Sequence, residues 1–220
     1  MAPVELEGSS FYPSLIPTVI VGDVHVIYLY HQNIDGIWHG AAMKDEKVYV
    51  TLFATTEKKV LQELLESLPY NLPFQLAEKP SLHSMKLIKT LKMIFDGKDV
   101  TSNFETVMDY MPKYTQKVLK CVAMVPVGYI TTYGAVAKAV GGSPRAVGNA
   151  MAFNPFALLI PCHRVVRADF SVGGYGLNGD VKRKILQRED RGYKENVKLK
   201  INDETLSVFP VKRLKAKNKS

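Results

Sequence analysis

The spacing of apolar and polar positions changes along this chain, and each change marks an element. Over residues 17–29 the β-formers Val19, Val21, Val24, Val26 and Tyr28 recur mostly two apart, the period of a half-buried strand. Asn33-Ile34-Asp35-Gly36 has turn chemistry before the run IWHGAAM, and Asp45-Glu46 separates that run from KVYVTLFAT. Three antiparallel strands are the simplest arrangement. From Thr56-Glu57 the period lengthens: Val60, Leu61, Leu64, Leu65 and Leu68 have helical spacing. The proline-rich residues 69–80 are expected to form a loop. Ser81 is expected to cap a second helix ending at Phe95, with Met85, Ile88, Leu91 and Phe95 on one face and Gly97-Lys98-Asp99 closing it. Residues 104–111 read as a linker.

In the second half Pro112 suits the first position of a helix continuing through YTQKVLKCVAMV. Cys121 falls on its apolar face and is expected to be structural. Tyr129-Ile130-Thr131 reads as a short extended piece. Thr132 is placed to cap a helix over 133–140, and Ser143, with Pro144 after it, to cap a second one after the Gly141-Gly142 turn. Two short helices about a glycine turn have helix-turn-helix spacing, although such pairs also serve simple packing. The second of them, RAVGNAM, is rich in small residues, and Gly148 lowers its helix propensity by about 1 kcal/mol. Small side chains allow close approach, either to a nucleic-acid groove or to a neighbouring helix.

Composition narrows the class. The 220 residues are 46% hydrophobic and 23% charged, which is ordinary for a globular chain and excludes wholesale disorder. No run reaches eighteen uninterrupted apolar residues, so no transmembrane helix is expected, and MAPVELEGSS has neither the basic nor the apolar region of a secretory signal. Two cysteines, Cys121 and Cys162, make no disulfide framework and exclude a zinc site of three or four cysteines. A reducing intracellular compartment fits. The net charge of +8 is unevenly spread: residues 1–111 carry −5, residues 112–189 carry +8 and residues 190–220 carry +5. An acidic part joined to a basic part suggests domains with different partners, and the basic part suits a polyanion.

The chemistry is concentrated after Asn154-Pro155. The apolar run Phe156-Ala157-Leu158-Leu159-Ile160 ends in Pro161-Cys162-His163-Arg164-Val165-Val166. A thiolate is the reactive form of cysteine, and cationic neighbours or a general base favour it. Adjacency in sequence is weak support, since adjacent side chains need not touch, and alone it favours a structural cysteine.

PCHRV, preceded by RAVGNAM and Asn154-Pro155, resembles the signature of the O6-alkylguanine-DNA alkyltransferases, and the likeness extends from Tyr114 to about Glu189 with the order of landmarks kept. The resemblance implies an α+β fold with an N-terminal ribonuclease-H-like antiparallel sheet with helices over 1–105, a C-terminal, mainly helical DNA-binding and catalytic domain containing a helix-turn-helix over 106–190, and a basic extension over 191–220. It implies stoichiometric, suicide transfer of an alkyl group from guanine O6 in double-stranded DNA, and to a lesser extent from thymine O4, to the protein's own cysteine, with no cofactor. Cys162 matches the acceptor, His163 the residue that takes the thiol proton through a water, Glu189 its orienting carboxylate, and Asn154 the asparagine that holds the turn. The target atom is hidden in a duplex, so the nucleotide must be flipped out. Arg145 matches the arginine that fills the vacated stack, Tyr133 the tyrosine beside the target phosphate and base, and Ala146 and Gly148 lie on the helix that enters the minor groove. Val165, Tyr175 and Gly176 match pocket positions, with Met151 either beneath the base or in the core. Gly176 stands where some members carry serine, so a hydroxyl donor is lost. Arg164 is assigned to structure or to phosphate.

Some members bind zinc through N-terminal cysteines and histidines. Here His25, His31, His39 and His83 are scattered and no cysteine accompanies them, so no metal is expected. The implied protein is a monomer of the cytoplasm or nucleoid, or of the nucleus in a eukaryote, with no membrane partner. In the extension, NVKLKI and TLSVF flank Asn202-Asp203 as a hairpin pattern, and PVKRLKAKNKS, with five Lys/Arg and no acid, reads as a mobile tail adding non-specific DNA affinity. Three alternatives stay open: a relative that senses alkyl lesions without reacting, although such relatives replace the cysteine; a cysteine hydrolase using Cys162 and His163; and a helix-turn-helix regulator.

Overall fold

The computed structural model describes residues 26–69, 72–100, 103–173, 179–201 and 203–215. Its first sheet has the order β3-β2-β1-β4. β1 (Ile27–Ile34), β2 (Ile37–Lys44) and β3 (Lys47–Ala54) are antiparallel and joined by two-residue turns. Asp35, Gly36, Asp45 and Glu46 all take positive φ, the mirror-image turn whose twist matches that of the strands. β1 begins and ends later than the apolar alternation suggested, and residues 17–25 lie outside the described ones. The polar segment His31-Gln32-Asn33 stays in the strand because its backbone pairs with Gly40, His39 and Trp38 of β2. α1 (Glu57–Ser67) and α2 (Leu82–Phe95) pack on this sheet, and Thr56 and Ser81 each accept a backbone N–H three residues on.

Two segments expected to be irregular join the sheet. β4 (Phe74–Leu76), inside the proline-rich stretch, runs parallel to β1. Thr106, inside the expected linker, bridges Val48, with Val48 N donating to Glu105 O and Val107 N to Val48 O, both at 2.8 Å. Backbone pairing alone makes these contacts. The β4 side chains are exposed, so no apolar pattern marks that strand.

α3 (Lys113–Ala123) starts one residue after Pro112, which caps it. β5 (Tyr129–Thr132) leads into α4 (Tyr133–Val140), and α5 (Pro144–Ala152) follows after Gly141-Gly142-Ser143. Thr132 and Ser143 cap through their hydroxyls. After a single 3-10 turn, Cys162–Arg164, come β6 (Val165–Val166), α6 (Gly179–Glu189), β7 (Val197–Ile201) and β8 (Glu204–Pro210). A second sheet has the order β6-β5-β8-β7, so the C-terminal part is less purely helical than expected. The extension supplies half of that sheet. Leu206, Val208 and Val211 are buried, Val211 N donates to Gly128 O, and Lys215 N donates to Phe170 O. Residues 210–215 are therefore docked rather than a mobile tail; residues 216–220 lie outside the described ones.

One apolar cluster runs through both parts of the chain, joining Ala41, Leu87 and Leu91 to Val118, Val122, Val147 and Phe156. A second lies under α1 around Ile27, Val50 and Leu64, and a third joins Ile130, Val166, Leu186 and Val211.

Candidate active site

Asn154 follows the last residues of α5 and staples the loop that leads to Cys162. Its Oδ1 accepts from Phe156 N at 3.0 Å and its Nδ2 donates to Ile160 O at 3.2 Å. The loop is also pinned to the edge of β3. Thr51 N donates to Pro155 O, Ala157 N donates to Thr51 O, and the Thr51 hydroxyl donates to Ala157 O, at 2.8–2.9 Å. Between these anchors the buried Leu158 takes φ 72°, which costs a leucine about 1–2 kcal/mol and persists only because both flanks are clamped. Cys162 then opens the 3-10 turn, and β6 lies parallel to β5, with Val165 beside Thr131 and Val166 beside Thr132. Thr132 caps α4, so its first residue, Tyr133, is carried to the cysteine. Tyr133 is half-buried, and burial, with a contribution from Cys162, raises its phenol above the ordinary value.

Behind Cys162 lies a buried polar set. His163, Glu189 and Arg164 are almost wholly removed from solvent. His163 Nε2 is 3.0 Å from Glu189 Oε1. Arg164 donates from Nε to Glu189 Oε2 at 3.0 Å, from Nη2 to Oε1 at 2.8 Å and from Nη1 to Val125 O at 2.6 Å. Burial pushes the Glu189 carboxyl up, but His163 and Arg164 outweigh it and hold it at about 2. Burial also lowers the His163 imidazolium, beyond what Glu189 restores. His163 is thus neutral at pH 7, and the two Arg164 bonds keep Glu189 ionised there. An ionised acceptor at Nε2 selects the tautomer with its proton on Nε2, leaving the Nδ1 lone pair available. Nδ1 has no hydrogen-bond partner among the described residues.

Glu189 is positioned by a close approach from the other part of the chain. Gly97, at φ 77°, sits against the Arg188 backbone, where a Cβ would lie 2.5 Å from Arg188 C. Arg188 Nη1 donates to Phe95 O at 2.9 Å, and Arg191 Nη2 donates to Gly97 O. Lys182, also on α6, is buried and donates from Nζ to Val165 O at 2.6 Å. Burial pulls its ammonium down to about 8, against an opposing contribution from Cys162.

A cavity of about 590 Å³ opens beside Cys162. Tyr133, Gly148, Met151, Asn154 and Cys162 line it, together with Thr51, Leu52, Phe53, Glu63 and Glu66 from the first part of the chain. Met151 also packs against the main apolar cluster, so it both lines the cavity and touches the core. On α5, Arg145 is exposed and Ala146 half-buried, and a Cβ built on Gly148 meets nothing within 4 Å. Helix packing therefore does not explain that glycine. The Val165 carbonyl accepts from Lys182 Nζ. Tyr175 and Gly176 lie outside the described residues. Arg164 is structural and too buried to reach a phosphate.

Thr51, Lys182, Glu63 and Glu66 were not singled out from the sequence. Each lies far along the chain from its partners or carries no motif. Cys121 is buried, and burial raises its thiol to about 11, in keeping with a structural role. No helix among the described residues is long and apolar enough to cross a membrane.

Residues 113–191 match the family model described as the 6-O-methylguanine DNA methyltransferase DNA-binding domain. A methylated-DNA–protein-cysteine methyltransferase of Methanothermobacter thermautotrophicus is 38% identical over 112 residues, covering 50% of this chain and 63% of that protein. The chain spans 44–65% of the length of the first four such relatives. Among solved structures, the O6-methylguanine-DNA methyltransferase of Pyrococcus kodakaraensis superposes with a TM-score of 0.57 at 26% identity, over 74% of this chain and 98% of that one. The Mycobacterium tuberculosis protein OGT in complex with DNA superposes with a TM-score of 0.58 at 21% identity, over 74% and 92%.

Proposed function

We propose, for a chain whose residues 113–191 belong to the 6-O-methylguanine DNA methyltransferase DNA-binding family, that it repairs DNA by moving an alkyl group from guanine O6 to Cys162. The observation that carries this reading is a cysteine lining an open cavity, followed by a buried neutral histidine held in one tautomer by an ionised carboxylate. That is a nucleophile, a base and a base-orienter in reach of one another along the chain.

In this reading the Cys162 thiol proton passes by way of His163 Nδ1, through a bridging water. Glu189 stabilises the imidazole as it takes positive charge, and Arg164 keeps Glu189 ionised. The Lys182 ammonium favours the thiolate electrostatically. Sγ attacks the alkyl carbon on O6: the S–C bond forms, the C–O6 bond breaks with its electron pair going to oxygen, and guanine takes up the proton given up by the thiol. The thioether is a poor leaving group, so each protein molecule reacts once and no cofactor takes part.

The DNA-facing role falls to the helix-turn-helix of α4 and α5. Arg145, exposed at the N-terminal end of α5, suits the space left by a flipped nucleotide, and the open space at Gly148 and the small Ala146 suit close approach to a minor groove. Tyr133 faces the extruded base. Met151 and Val165 are assigned to the pocket with it; Tyr175 and Gly176 carry the same assignment from the family resemblance and lie outside the described residues. Residues 26–105, read as a ribonuclease-H-like unit, brace the reactive loop through Thr51. The protein acts as a monomer.

The test is intact-protein mass after incubation with duplex DNA containing O6-methylguanine, followed by peptide mapping. One added methylene on Cys162, and none in Cys162→Ala, is the expected result. No added mass despite tight lesion binding would overturn the transfer reading in favour of a sensor. Arg145→Ala is expected to slow transfer from duplex DNA more than transfer from free O6-benzylguanine; equal losses would remove it from flipping.

A further inference from the structure

The cavity beside Cys162 has two unlike walls. Tyr133, Gly148 and Met151 form one. The other comes from β3 and from α1, whose Glu63 and Glu66 both reach the cavity. These two are three residues apart and so share a helix face. Among the described residues that line the cavity they alone carry charge. Lys59 Nζ forms an i,i+4 ion pair with Glu63 Oε1 at 3.7 Å, which offsets part of the Glu63 charge, and Gln62 Nε2 donates to Glu66 Oε1 at 2.8 Å. Burial raises the Glu63 carboxyl above its ordinary value, with Lys59 opposing, which fits a side chain partly withdrawn into the wall. The volume, about 590 Å³, is in the range that encloses drug-sized ligands and exceeds what a purine with a methyl group fills. The cavity therefore has room for more than a methyl adduct, and Glu63 and Glu66 are part of its lining.

Resting on the alkyl-transfer reading, we propose that the α1 wall sets adduct preference: the site accepts extended O6 substituents and favours those ending in a cation or hydrogen-bond donor over those ending in a carboxylate. The chemistry at the reacting carbon is unchanged. The S–C bond forms as the C–O6 bond breaks, the electron pair and a proton go to guanine, and the remote end of the substituent is carried to Cys162 intact. Selection arises because the remote end is attracted or repelled by Glu63 and Glu66 before the transition state is reached.

The experiment uses three duplexes of one sequence, carrying O6-methylguanine, O6-aminopropylguanine or O6-carboxyethylguanine. Rates of mass gain are measured on the full chain, each divided by the same protein's rate with O6-methylguanine. The DNA backbone charge is the same in all three, so it cancels. The aminopropyl adduct is expected to react about tenfold faster than the carboxyethyl adduct, the scale of two partly exposed charge contacts that change sign. Raising the salt is expected to shrink that ratio. Glu63→Gln with Glu66→Gln should bring it to within about twofold of unity, and Glu63→Lys with Glu66→Lys should invert it. A ratio near one in the unaltered protein, or a ratio surviving both double variants, overturns the inference while leaving methyl transfer standing. Absence of transfer even from O6-methylguanine overturns the function itself, and this inference with it.

Discussion

Arg164 shows how much at this site rests on one side chain. It bonds both oxygens of Glu189 and the carbonyl of Val125 in a space closed to water. Arg164→Met leaves a buried carboxylate beside a neutral histidine, and the expected loss is about 3–5 kcal/mol in urea unfolding. Arg164→Lys is expected to restore less than half of that, since an ammonium cannot span both oxygens and the carbonyl together. An unchanged midpoint for Arg164→Met would show that the clamp contributes nothing to stability. Cys162, His163 and Asn154 were singled out because a contiguous motif and its flanks mark them, and Glu189 only because the family resemblance pointed to it. The clamp was not, because its carboxylate lies 25 residues beyond the arginine. Nor was the use of Lys182 against Val165 O, 17 residues away.

Among the elements, α5 carries the sharpest test. Its Gly148 has neither a positive φ nor a packing neighbour within 4 Å of a built Cβ. Gly148→Ala is therefore expected to stabilise the fold by up to about 1 kcal/mol while weakening duplex binding, since the new methyl occupies the surface assigned to the groove. Thermal unfolding and a duplex-binding titration check the two halves, and unchanged DNA affinity would remove the glycine from the interface. The β7–β8 hairpin behaves differently from its composition. Lys198 and Lys200 face solvent, while Leu206 and Val208 are buried. Removal of residues 197–220 exposes apolar surface at about 1.5–3 kcal/mol per buried aliphatic side chain, and soluble yield and urea midpoint report it. The helix caps at Ser81, Thr132 and Ser143 were legible because a cap depends on an N–H three residues away. β4 and the strand-like contact at Thr106 were not, because only backbone pairing defines them.

At the scale of the whole molecule, acid is expected to loosen the fold in two steps. His39 is buried with neither ring nitrogen bonded among the described residues, and burial first, then Lys92, lowers its pKa from 6.5 to about 4, against Asp96. Glu189 is held at about 2 against an ordinary 4.5. Both folded values lie below the unfolded ones, so both contributions are full above pH 6.5. As pH falls from 6.5 to 4 the unfolded chain gains a proton that His39 refuses, and from 4.5 to 2 the same holds for Glu189. Each step is on the order of 3 kcal/mol. Buried His163, whose pKa is also lowered, adds to the first step. Urea midpoints at pH 7, 5 and 3 should fall in turn, and His39→Leu should shrink the first descent while leaving the second. A first descent of unchanged size in His39→Leu would remove His39 from its origin.

What the sequence determined by itself was local: periodicities, caps, tight turns and the PCHRV segment with its family likeness. Each of these depends on groups a few residues apart, so a linear reading reaches them. Tertiary structure alone decided how the reactive loop is held. Thr51 fastens Ala157 across 106 residues, Gly97 admits the end of the helix that carries Glu189, and α1 brings two carboxylates to the lining of the cavity that Tyr133 and Cys162 share. These features depend on hydrogen bonds, space and charge between groups that only folding brings together, and no local pattern encodes them.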